Sequence, residues 1–315
     1  MFDFFFHPTA GAGRHKRTRK HAANRKLKTM KCNPVSGKIG AHDSCYTPQI
    51  LEKIRVEYNK SHHSDPITET EPTKLWLELR DRLTHCSAED CWLSEIKDAT
   101  TRKQIDRYIF APDKPYEWKA NPNEWLSNYD ILNVLEQYEH NYKHFEFIGP
   151  TPIDFDTKVG SNRQCVLDEL CKFSLSKHIR NGKTMFGVVF NLDKHDESGS
   201  HWVSMFINVS KRFLFYFDSA GGNMPHEVRT LITRIQKQAK DQGFQFKEYA
   251  NGRHTHQRGN TECGVYSLFF IITMLTGRTK PNGRKMSHAR VFDLFLNKHI
   301  PDKTIATYRN EYFNG

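Results

Sequence analysis

A chain of 315 residues with 37% hydrophobic and 12% aromatic content can bury a substantial core, as one large domain or two modest ones, which excludes a disordered protein. It has no apolar run of about 18 residues, and the opening Met1-Phe2-Asp3-Phe4-Phe5-Phe6 is too short and wrongly flanked for a secretory signal, so a soluble protein made in the cytosol, without a membrane span, is expected. The formal charge of +11 sits at one end: Arg14, Lys16, Arg17, Arg19, Lys20, Arg25, Lys26, Lys28, Lys31 and Lys38, against Asp3 alone, precede Asp43, which leaves about +2 for the rest.

Residues 1–43 lack a sustained apolar period and carry Gly11, Gly13, Gly37 and Gly40, so a mobile basic arm is expected there. Its stretch 14–31 reads either as a solvated polybasic tail or as a nucleic-acid contact or nuclear-targeting segment. Residues 44–110 read as a helical N-terminal region. Thr47 and Pro48 form a helix start, with Ile50, Leu51, Ile54 and Tyr58 on one face; further helices are predicted at Thr73–Leu83 and Ala88–Ile96. A Pro-rich aromatic connector at 111–122 then opens a third unit, 111–315.

Within that unit Asn128–Tyr138 reads as a helix, and Met185–Phe190, His201–Val209 and Arg212–Phe217 as strands. The last two make a hairpin about Ser210 and Lys211. Pro225–Asp241 is a predicted helix, Gly243–Tyr249 a strand, and Cys263–Leu275 an apolar, buried helix closed by Gly277. No internal repeat is visible.

A thiol attacks a carbonyl well only with an imidazole to take its proton, a carboxylate to orient that imidazole and donors for the oxyanion. The hairpin brings His201, at the start of one strand, towards Asp218, after the end of the other. Cys263 opens a helix, where backbone N–H groups face outward and the dipole favours an anion. Gln257, in the preceding loop, offers a side-chain amide, and Gly264 is expected to let substrate approach closely.

His201-Trp202, Tyr216-Phe217-Asp218-Ser219 and Gln257-Arg258-Gly259-Asn260-Thr261-Glu262-Cys263-Gly264 together resemble the His-Trp, Asp-Ser and Gln-x-Asn-x-x-Asp-Cys-Gly blocks of the clan CE cysteine proteases. This superfamily holds the SUMO-specific and adenovirus proteases and the virion-processing proteases of nucleocytoplasmic large DNA viruses. The order His, Asp, Gln, Cys separates it from papain-like enzymes. Asn260 stands one residue later than in some members. Glu124-Trp125-Leu126-Ser127-Asn128-Tyr129-Asp130 resembles another block of the same family.

The resemblance spans about 120–285 and implies an α+β fold, a central mixed sheet flanked by helices, with the N-terminal helical region added. It implies His201, Asp218 and Cys263 as catalytic residues and Gln257 at the oxyanion. Trp125 and Trp202 would form a narrow indole tunnel over a substrate Gly-Gly, since flat rings admit a backbone without Cβ atoms. The expected substrate is a protein with Gly-Gly or Gly-x sites, such as a viral structural or core precursor, acted on in virion and host cytoplasm. A deSUMOylase-like isopeptidase of the cytoplasm or nucleus is the alternative enzyme. A nucleic-acid-binding virion protein with an inactive protease scaffold is the alternative of another class.

The seven cysteines, Cys32, Cys45, Cys86, Cys91, Cys165, Cys171 and Cys263, are odd in number and too sparse for a disulfide scaffold, so reduced thiols are expected. Neither Cys86 and Cys91 beside His85 nor Cys165 and Cys171 have the paired short spacing of a structural zinc site. No metal or cofactor is expected.

Overall fold

The computed structural model describes residues 26–33, 44–281 and 283–315. Most of the basic arm, including Arg14, Lys16, Arg17, Arg19, Lys20, Arg25 and Lys38, lies outside them, and with it most of the expected nucleic-acid contact. Residues 26–33, assigned to the arm, are instead packed: Met30 and Asn33 are buried, and Lys28 and Cys32 bridge to Ala88 and Phe110. Leu27, Met30 and Cys32 supply the apolar contacts that a basic-residue count hides.

The N-terminal region is built on α1 (Pro48–Ser61), α2 (Pro72–Arg82) and α3 (Ala99–Ile109). Thr47 caps α1 through the Ile50 amide, and the Glu71 carboxylate caps α2 through the amides of Thr73 and Lys74. Tyr46, Ile54, Leu79 and Trp92 fill its core. The helix predicted at Ala88–Ile96 is only a 3₁₀ turn, Asp90–Glu95. The Ser87 carbonyl, which an α-helix would need for Cys91, already accepts from the Lys28 amide at 2.8 Å.

A capping box of Ser127 and Asp130 starts α4 (Asn128–Asn141). There follow β1 (Phe145–Pro152), the short antiparallel ribbon β2 (Lys158–Val159) and β3 (Gln164–Cys165), α5 (Asp168–Cys171), α6 (Leu175–Arg180), β4 (Met185–Asn191), β5 (Trp202–Asn208), β6 (Phe213–Phe217), α7 (His226–Asp241) and β7 (Lys247–Ala250). The strand expected from Gly243 starts four residues later, because Gly243 closes α7 with a left-handed φ of 81° and an N–H bond to the Lys240 carbonyl. The chain ends with α8 (Cys263–Thr276), α9 (His288–Leu296), α10 (Asp302–Ala306) and α11 (Tyr308–Tyr312).

The main sheet has the order β1-β4-β5-β6-β7, antiparallel at its centre (β4-β5, β5-β6) and parallel at both edges. This is the expected α+β architecture with a mixed central sheet. One face, through Val189, Phe206 and Phe215, packs on α8, α4 and α9. The other, through Val188, Met205 and Leu214, packs on α7. Phe110 belongs to the N-terminal core, Trp118 and Leu126 to that of the sheet. Asn314, after α11, joins the two: its side chain accepts from the Lys31 amide at 2.6 Å and donates to the carbonyls of Lys31 at 3.1 Å and Ala111 at 2.7 Å.

The expectation of reduced thiols is corrected for six cysteines. Cys32–Cys45, Cys86–Cys91 and Cys165–Cys171 are disulfides with Cα separations of 5.1, 5.4 and 6.3 Å, and Cys263 alone is free. The fold brings each pair within bridging distance, which a cysteine count cannot reveal.

Candidate active site

The β5-β6 hairpin pairs Asn208 with Phe213 and Ser204 with Phe217. The Asn208 carboxamide oxygen accepts the Lys211 amide at 2.8 Å and shapes the turn. The residue before β5 and the residue after β6 therefore emerge together, and His201 Nε2 lies 2.7 Å from Asp218 Oδ1. The Asp218 carboxylate is buried and also accepts the backbone N–H groups of Ala220 at 2.8 Å and Gly222 at 3.0 Å. Glycine is required at 222, since a Cβ there would stand 2.5 Å from Asp218 Oδ2. Gly221-Gly222 is thus a turn that grips the carboxylate.

Cys263 lies close enough to His201 to act on the same imidazole. With Nε2 engaged by Asp218, the nitrogen on the sulfur side is Nδ1. Burial pulls the imidazole pKa down, but the hydrogen bond to Asp218 and the interactions with Asp218 and Cys263 outweigh it and push it up to about 9. The site thus favours a charged imidazolium between a carboxylate and a sulfur. Cys263 is the buried first residue of α8, the end at which helix N–H groups lack intrahelical partners.

Gln257 lies in the loop leading to Cys263. Its Oε1 accepts from Ser219 Oγ at 2.7 Å, its backbone N–H bonds the Ser219 carbonyl at 2.8 Å, and its Nε2 donates to the Gly259 carbonyl at 3.0 Å. One N–H of the carboxamide remains for an oxyanion. The role expected for Gly264 is corrected: a Cβ at 264 would sit 3.0 Å from Leu126 Cβ, so this glycine lets α8 approach the Trp125 loop, not a substrate.

Trp125 and Trp202 line one groove of about 540 Å³, together with Leu126, Asn128 and Gly199. Trp202 is buried, with Nε1 donating to the Leu126 carbonyl at 3.1 Å, whereas Trp125 is 37% exposed. One indole is fixed wall and the other an exposed flap.

Three supporting side chains escaped the sequence reading. Asn251 accepts the Asp218 amide at 3.0 Å and donates to its carbonyl at 2.6 Å. Asp302 Oδ2 accepts the amides of Arg258 at 3.0 Å and Gly259 at 2.8 Å, while its Oδ1 accepts the Tyr266 hydroxyl at 2.8 Å, which fixes the Gln257 loop to α8. Arg309, from α11, bonds Glu262. An Asn at a strand end and an Asp after a Pro carry a weak local signal; Arg309 carries none. Among the described residues, His85, Cys86 and Cys91 bring ligand atoms within 4.8 Å of one another, but the two sulfurs are joined in a disulfide and lie in the N-terminal region.

An imidazole held by a buried carboxylate, a cysteine at the first turn of a helix, a free carboxamide N–H in the loop before it and a groove lined by two indoles are the parts that acyl transfer from a peptide would use.

Comparison with known proteins agrees with this geometry. The chain is 30% identical over 199 residues to a protein of Acanthamoeba polyphaga mimivirus named as a thiol protease, covering 63% of this chain and 60% of that protein's length. It is 26% identical over 251 residues to a cysteine protease of African swine fever virus, covering 76% of this chain and 86% of the relative. The crystal structure of the latter virus's protease superposes with a TM-score of 0.59 at 21% identity, over 90% of this chain and 97% of that one, so the shared fold includes much of the N-terminal region. Residues 186–306, from β4 through α10, match the model of the Ulp1 protease family, C-terminal catalytic domain.

Proposed function

We propose that this protein is a cysteine endopeptidase in which Cys263 is the nucleophile, His201 the general base and acid, Asp218 the residue that orients it, and Gln257 an oxyanion donor. The observation that carries the reading is His201, whose Nε2 lies 2.7 Å from the buried Asp218 carboxylate while Cys263 is close enough to act on the same imidazole. His201 takes the Cys263 proton before attack, giving a thiolate–imidazolium pair, and the thiolate then adds to the substrate carbonyl carbon. The tetrahedral oxyanion accepts from the Cys263 backbone N–H and from Gln257 Nε2. The imidazolium gives its proton to the leaving amine as the C–N bond breaks. Water, deprotonated by His201, then cleaves the thioester and restores the thiol.

Trp125 and Trp202 direct this chemistry to Gly-Gly or Gly-x sequences, because a chain threaded between two indoles has no room for side chains. The named viral relatives favour structural or core precursors of a virion as the protein substrate, processed in virion and host cytoplasm. Residues 111–315 form the protease unit and 44–110 the helical region. No helix among the described residues is long and apolar enough to cross a membrane.

A second reading, a SUMO-directed isopeptidase, draws on the Ulp1 family match and on African swine fever virus relatives named as SUMO-1 cysteine proteases. A panel of Gly-Gly-x peptides beside fluorogenic SUMO and ubiquitin substrates separates the two. Wild-type protein is expected to cleave Gly-Gly-x peptides in an iodoacetamide-sensitive manner and Cys263→Ala to have no activity. Full activity in Cys263→Ala would overturn the proposal.

A further inference from the structure

Two loops belong to different elements: the loop before α4, which carries Trp125 of the groove, and the loop before α8, which ends at Cys263. Arg309 of α11 reaches both. Its guanidinium is buried, with Nε 3.1 Å from Glu262 Oε2 and Nη2 2.9 Å from the Thr261 carbonyl, the two residues just before Cys263. Nη1 donates to the Glu124 carbonyl at 2.6 Å and Nη2 also to the Asn123 carbonyl at 3.4 Å, the two residues just before Trp125. The plane lies over the Trp118 ring, 4.6 Å from its centroid.

Stability alone is a poor reason for this arrangement. A buried ion pair is often matched or bettered by apolar side chains of the same volume. What an apolar replacement cannot do is donate to three backbone carbonyls and a carboxylate from one rigid plane. We infer that Arg309 is a positioning residue: it sets the distance between the Trp125 loop and the Cys263 loop, and so where the groove presents a peptide relative to Cys263. This rests on the protease reading above.

Arg309→Lys keeps a charge for Glu262 but cannot fork to both loops. Hydrogen exchange on the full-length protein is expected to show the amides of 123–126 and 259–263 losing protection together, with the sheet unchanged. On peptides, kcat/KM for a Gly-Gly substrate should fall about 10- to 100-fold, as misplacement on the ångström scale does. Discrimination against Ala in place of Gly should narrow with it. The rate of alkylation by iodoacetamide should stay within about twofold, since Arg309 bonds none of Cys263, His201 and Asp218 directly.

Glu262→Gln, which weakens only the nucleophile side of the tie, should loosen 259–263 and leave 123–126 protected. Unchanged exchange in both loops with unchanged Gly/Ala discrimination in Arg309→Lys would overturn the inference. So would a parallel fall of iodoacetamide reactivity and melting temperature, which marks a merely structural role. If wild-type protein cleaves no peptide yet both loops respond in exchange, the protease reading fails and the tie stands.

Discussion

Asp218→Asn tests the electrostatic logic of the site directly. Three donors converge on the carboxylate: His201 Nε2 at 2.7 Å, the Ala220 amide at 2.8 Å and the Gly222 amide at 3.0 Å. An asparagine offers one acceptor oxygen, so its NH₂ must face at least one of these donors. Turned towards His201, the NH₂ forces Nε2 to accept and places the proton on Nδ1, the nitrogen that has to take the thiol proton. The loss of charge acts in the same direction. The imidazole stands at about 9 against an ordinary 6.5, equivalent to roughly 3 kcal/mol in favour of the imidazolium, a gain shared between Asp218 and Cys263.

With the carboxylate gone, kcat/KM is expected to fall by about 10²- to 10⁴-fold, the range seen when a triad histidine loses its orienting carboxylate. The pH dependence of kcat/KM is the assay. Wild-type activity should decline on the alkaline side as the imidazolium that protonates the leaving amine is lost through about pH 9, and in Asp218→Asn that limb should move towards the ordinary histidine value. Stability follows the same sign. His201 holds its proton more tightly folded than unfolded, so its contribution is complete below about 6.5 and lost as the pH rises through about 9. A variant with wild-type kcat/KM and an unmoved alkaline limb would refute the reasoning.

Other perturbations separate the remaining parts. Gln257→Ala should lower kcat by about 10²- to 10³-fold with little change in KM, as loss of an oxyanion donor does, and a kcat within about threefold of wild type would remove Gln257 from the reaction. Trp125→Ala, at a 37% exposed position, should leave the melting temperature nearly unchanged while admitting Ala in place of a substrate Gly in a peptide panel; unaltered selectivity would remove it from the groove. Gly264→Ala, whose Cβ would press on Leu126 at 3.0 Å, should cost about 1–3 kcal/mol in denaturant unfolding and raise KM by displacing the Trp125 loop. Mass spectrometry should find one thiol alkylated in protein unfolded without reductant, at Cys263, and seven after reduction; seven in both would refute the three pairings.

The parts of the fold legible in the sequence are those with a strong local period. The β5-β6 hairpin and α8 announce themselves by unbroken apolar and aromatic runs, and their ends carry His201, Asp218 and Cys263 of the candidate site. β1 was hidden because Gly149-Pro150 sits inside it, where the pairing with β4 shifts register between Ile148 and Thr151; such a pair reads as a turn. α3 was hidden because none of its residues is fully buried, so it shows no deep apolar stripe. Glu262 and Arg309 lie 47 residues apart, and neither sequence neighbourhood mentions the other. The same holds for the disulfides, which depend on how loops fold back rather than on spacing.

The stitch made by Asn314 has a consequence in time. It joins residues 283 positions apart, and Arg309, which bonds residues just before Trp125 and just before Cys263, comes from the same stretch. During synthesis every strand of the sheet and Cys263 itself emerge before that stretch does. A nascent chain can fold its hairpin and bring imidazole to carboxylate, yet the two loops lack the Arg309 tie and Lys31 and Ala111 the Asn314 bonds until this stretch is made. Order of synthesis thus places the tie between the Trp125 and Cys263 loops after the sheet and the cysteine.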